Sequence, residues 1–386
     1  MRQLFIFMAT TILAVGPLAA QAPRVERLTT PKRTFPEPFS TVSGVRQLAD
    51  GRLMIADRLE QAVRIIDLAT GAMRDLGRVG SGPGEYQMPG GLLPLPGDST
   101  VLTDLGNMRL TVIAPNGRMG RSAPLVRGEG EFMRPTAADA AGGLYFDQGG
   151  VRMSAGGQME SPESAPIQRW DVATDAIDTV AMLPLPKGET STIRGFSSSG
   201  GGFQLRGNVS PLAAQDVWAV APDGRVAIVH AEPYRVEWVS RSGATRVGPV
   251  VAYTPVPVTD EDKEAWADRM GQGTAVMLMA GGTGGGGGQS IRMPRPDPDE
   301  MDWPDVKPAF PRQAATVSPD GELWVQRHVA HGAPARYDVF DATGARVRQV
   351  EFPKGRQLAG FGRGVVYLVR VDEDDLQWLE EYVIAA

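Results

Sequence analysis

The octapeptide GPGEYQMP, Gly82 to Pro89, returns 46 residues later as GEGEFMRP, Gly128 to Pro135, with two glycines, a glutamate, an aromatic residue and a proline in register. Other punctuation keeps the same step: Thr70-Gly71 is followed by Asn116-Gly117 at the same interval. A period of this length means that one supersecondary unit is repeated, and that each copy buries its apolar faces against its neighbours. Short runs rich in β-formers lie between the marks, each after a glycine-containing turn: RLMIAD at Arg52, TVLTD at Thr100 and GLYFD at Gly143. Later copies start at Pro222, Pro319 and Gly364. A second strand follows each, often led by arginine: RLTVIA at Arg109, RVEWVS at Arg235 and RYDVFD at Arg336.

Six units account for the chain once three insertions are set aside, at about 47 residues each, which is the length of a four-stranded propeller blade. The 47 glycines and 31 prolines among 386 residues agree with a chain that turns often. The fold class expected is all-β, a six-bladed β-propeller spanning residues 23–386. An N-terminal strand, Arg24–Leu28, is expected to complete the last blade, so that the two chain ends pair and no sheet edge is left open.

DLGNMRLTVIAPNG, Asp104 to Gly117, resembles the NHL repeat, and GRVGSGPGEYQMPGGL resembles the stretch that joins its blades. The chain is similar to secreted bacterial six-bladed propellers of the NHL-like class. The resemblance implies the fold. It leaves function open, because that class holds binding scaffolds, lyases and lactone hydrolases.

Residues 1–22 read as a secretory signal peptide: Arg2, an apolar run from Leu4 to Leu18, then the small-x-small pattern of Ala20-Gln21-Ala22. Cysteine is absent, so neither lipid attachment at a lipobox nor disulfides are expected, and the location expected is periplasmic or secreted. The net charge of −6, without a basic run, makes nucleic acid an unsuitable partner. No segment after the signal is long and apolar enough to span a membrane.

The insertions run from Gln148 to Ala165, from Lys187 to Pro211 with SSSGGG at its centre, and from Pro255 to Phe310. The third, 255–310, predicts a helix over 260–271 capped by Thr259, then a flexible link at GGTGGGGG, with Trp266 and Trp303 as anchors on the propeller surface.

Chemistry is sparse. The glycine loops lack the Lys-Ser/Thr of a phosphate cradle, and Glu85 would repel an anion, so they read as joints. His328 and His331 read as a surface pair without metal. Asp57, Asp104 and Asp147 end equivalent strands; they could ring one mouth for calcium, but capping of turns within each blade explains their repetition without a ligand. No nucleophile elbow is present. The residues expected to bind at a channel mouth or on the insertion are Arg78, Glu85, Arg127, Arg134, His230 and Trp303, with no catalytic or metal-ligating residue assigned and no cofactor beyond the Ca2+ alternative. The function expected is an exported, monomeric, non-catalytic scaffold for a protein, a peptide or a small anionic ligand. The alternative is a metal-assisted hydrolase or lyase with an ion over the channel.

Overall fold

A computed structural model describes residues 24–127, 131–148, 162–186, 210–272 and 295–385, together with the short strands at 152–153, 159–160, 274–277 and 289–292. The signal segment 1–22, Gly128–Gly130 of the second glycine loop, SSSGGG and the run Gly281–Gly288 lie outside the described residues.

Six antiparallel sheets form the six blades of a propeller. The innermost strands, in order, are Val42–Gln47, Pro89–Pro94, Ala137–Ala138, Val217–Val220, Ala315–Val317 and Arg356–Gly362. The second strands are the apolar runs seen in the sequence, such as Leu53–Asp57, buried throughout. Alternation along each strand sends side chains to both faces of the blade. Buried apolar residues accordingly fall into six clusters, each shared by two neighbouring blades. Tyr145 and Ile167 of blade three meet Val226 and Ile228 of blade four, for example.

The ring closes as expected in principle, but with a different strand. Arg24–Arg27 does not complete blade six. It pairs in parallel with Arg346–Glu351 as a fifth, outermost strand of blade five. Blade six takes its fourth strand from Arg33–Thr34, antiparallel to Gln377–Val383, with Phe35 N–H donating to Leu379 O and Phe39 N–H to Gln377 O. The reason is burial. Phe35 and Phe39 stack 5.7 Å apart in the seam between blades six and one, both almost wholly enclosed. Leu28 instead fills the seam between blades five and six.

The glycine joint between blades one and two is locked from blade two. Arg109 donates to the carbonyls of Ser81, Gly82 and Glu85, and Asn107 Nδ2 donates to Gly80 O at 2.9 Å. Glu85 folds back so that Oε2 accepts the Gly82 N–H at 2.7 Å and Oε1 pairs with Arg78. A side chain on Gly80 would collide with that carboxylate, and Gly84 sits at φ 78°. Asp104 accepts from Gln87 N, Asn107 and Arg109, while Asp57 accepts from Ser40, Thr41, Leu59 and Glu60 N–H groups. These two aspartates cap turns in their own blades.

The helix Asp260–Gln272 has a reciprocal N-terminal cap between Thr259 and Asp262. Trp266 packs edge-on against Trp303 at 5.5 Å. The tie to blade five is the buried Lys307, which donates to Asp262 at 2.6 Å and to Val329 O at 2.8 Å.

Two outcomes are expected from thermal melts. Phe35→Ala should cost about 3–5 kcal/mol, because it opens a cavity in the closing seam. Arg109→Ala should cost about 3 kcal/mol by stranding the buried Asp104 carboxylate, and Arg109→Lys should recover only part, since a single ammonium cannot span three carbonyls.

Candidate functional site

In each blade the second and third strands meet, and the chain crosses to the next blade, at the same end of the ring. Asp57 lies opposite Val42 at that end of blade one, and Asp104 lies opposite Pro89 in blade two. The chain leaves blade three there after Asp147 and again after Pro184, and leaves blade four there after Val247. All three insertions therefore issue from one mouth.

A cavity of about 1330 Å³ runs along the axis between the inner strands. It is not symmetric. Besides the inner strands, its lining takes in Pro162, Leu183, Leu185 and Pro186 from the outer part of blade three. The cavity thus branches into the seam between blades three and four at the insertion mouth.

Register explains which side chains face this branch. Asp147 shares a face of blade three with Tyr145, which packs toward blade four. On blade four, Asp216 and Trp218 lie on the inner strand side, with His230 opposite Arg235 and Ile228 opposite Glu237. Trp218 Nε1 donates to Asp147 Oδ2 at 2.8 Å, across the seam. His230 lies between two carboxylates: Nδ1 is 2.7 Å from Asp216 Oδ2 and Nε2 is 3.0 Å from Glu237 Oε2. Asp216 Oδ1 also accepts the Ala231 N–H at 2.9 Å. The hydrogen bond to Asp216, aided by that to Glu237, raises the His230 pKa above its ordinary value despite burial. Each ring nitrogen thus faces a carboxylate oxygen, an arrangement that favours the protonated ring.

His230 holds the place that Asp104 holds in blade two. Each lies opposite the arginine that leads the third strand, Arg235 and Arg109. The substitution of imidazole for the repeat's carboxylate is visible in the sequence. Asp216, Trp218 and Glu237 are not, because only strand pairing collects them around it.

The remaining expected residues are dispersed. Arg134 lines the cavity. Arg78 and Glu85 form the clamp of the glycine joint, outside the cavity lining. Arg127 lies over the Trp170 ring at 4.7 Å and pairs with Asp175. Trp303 donates to Pro298 O at 2.7 Å within the third insertion. His328 is half-buried with Nδ1 3.0 Å from Pro308 O, and desolvation lowers its pKa; His331 is exposed and 3.9 Å from Asp262. Among the described residues no three His, Cys, Asp or Glu side chains gather as a metal-binding group, and no helix is long and apolar enough to cross a membrane.

No protein-family model matches the chain, and no curated protein matches it. Solved structures do. A member of the DUF4221 family from Bacteroides vulgatus is 10% identical, with a TM-score of 0.47 over 91% of this chain and 94% of that one. A gluconolactonase from Xanthomonas campestris is 12% identical, with a TM-score of 0.44 over 91% and 88%. The calcium-binding protein regucalcin from Agrobacterium tumefaciens is 12% identical, with a TM-score of 0.42 over 94% and 98%. The chain is similar to these proteins at the level of the six-bladed β-propeller fold.

Proposed function

We propose that this chain is an exported, NHL-like propeller that works as a binding scaffold, taking its ligand at the insertion mouth in the branch between blades three and four. One observation carries the reading: the lining of the axial cavity extends off-axis to this seam, where Leu183, Leu185 and Pro186 belong to the same lining as Asp147, Asp216 and Trp218. A concave site with a largely apolar wall and a few fixed polar groups is what small-ligand recognition needs. The Asp104–Asn107–Arg109 network supports the NHL-like assignment, since it uses the repeat's own polar residues to lock a joint. The N-terminal sequence supports export. The hydrolase or lyase alternative would draw on Asp147 and Asp216, carboxylates of the same cavity lining.

Three outcomes are expected. A photo-crosslinking residue at Gln215, on the cavity wall, gives adducts by intact-mass analysis after export in living cells, and one at Asp50, in the turn at the far end of blade one, gives none; equal labelling at both would overturn the scaffold reading. Metal analysis of the purified protein finds no stoichiometric ion, and calcium leaves the melting temperature unchanged; a bound ion or a calcium-dependent shift would favour the alternative. The third concerns pH. A histidine whose pKa is raised on folding contributes stability that is complete below its unfolded value, about 6.5, and is lost as pH rises through the folded value. His230→Gln should therefore destabilise the protein most below pH 6, and the gap in melting temperature from wild type should narrow as pH rises past neutrality.

A further inference from the structure

We infer that the branch between blades three and four is a saccharide subsite, with Trp218 as the platform and Asp216 as a hydroxyl acceptor; this rests on the reading of that branch as the ligand site. Charge narrows the ligand class first. Among the described residues, the charged side chains lining the cavity balance, four arginines against four aspartates, so neither a strong anion nor a strong cation is favoured by their field. A neutral ligand with many hydroxyls uses both signs, since arginine donates and aspartate accepts.

The local geometry narrows it further. Trp218 is half-buried on the cavity wall, and its only polar atom is spent on Asp147, which pins the ring at its edge. What the pinned indole offers a ligand is apolar ring surface. A pyranose presents C–H groups on its face and hydroxyls around its rim, and so matches an aromatic surface bordered by planar polar groups. Asp216 supplies such a group. It is held by the Ala231 N–H and by the His230 ring at Nδ1, bonds that use two of the roughly four lone-pair sites of a carboxylate. Gln215 precedes it on the same wall with both a donor and an acceptor. His230 does not touch the ligand; it is a positioning residue that keeps Asp216 aimed. The apolar wall at Leu183 and Leu185 would cover the remaining sugar edge.

The test is a glycan array of bacterial and plant oligosaccharides probed with the mature protein, followed by calorimetry on the strongest hit, with spermidine and inorganic phosphate as charged comparison probes. The expected result is binding of at least one neutral oligosaccharide. Trp218→Ala and Asp216→Asn should each weaken it tenfold or more, Trp218→Phe should stay within about threefold of wild type because it keeps a ring face, and Arg78→Ala should have no effect. Melting curves of each variant show that the fold is retained, and Trp218→Leu, which keeps bulk but removes the ring face and should lose the same tenfold, serves if Trp218→Ala does not fold. Absence of any glycan binding, binding unaffected at Trp218, or tighter binding of spermidine or phosphate would overturn the saccharide assignment. Crosslinking at Gln215 separates the two levels: adducts without glycan binding overturn the ligand class alone, whereas silence in both overturns the binding reading as well.

Discussion

A four-stranded blade has two apolar faces and nothing of its own to cover either. That deficit dictates the architecture. Each seam is a shared core, and six such seams around an axis leave no face uncovered. Everything else is fitted to this demand: the glycine joints that carry the chain outward-to-inward between blades, the aspartates that cap the turns, and the N-terminal segment that fills the last place in blade six.

The same demand explains why function gathers at one end. The seams must stay packed, so variation is confined to loops at the ends of the strands. Here the long insertions all issue from the end at which the chain passes between blades. The lining of the axial cavity reaches the seam between blades three and four. At that seam polar contacts adjoin the apolar interface, with an indole–carboxylate bond across it and a histidine held between two carboxylates.

The repeat, the blade count and the helix at Asp260–Gln272 were legible from spacing alone, because each rests on local periodicity and capping. The closing strand was misread for a physical reason. RVERL is the more strand-like segment by propensity, yet Phe35 and Phe39 decide the register by the volume they fill in the seam, and that volume exists only once blades six and one are in place. Trp266 and Trp303 were legible as a pair but not as partners of each other. In the candidate site, His230 was legible only as a residue expected near the ring mouth. Its companions come from three strands and carry no sequence spacing that marks them.

The pairing of Arg33–Thr34 with Glu380 and Glu381 joins positions almost a full chain length apart. A chain threaded linearly from its N-terminus therefore holds Phe35 and Phe39 ready long before their seam exists. Five blades' worth of sequence must emerge while those two rings remain uncovered. The ring is thus a structure one of whose first-made strands is the last to meet its partner.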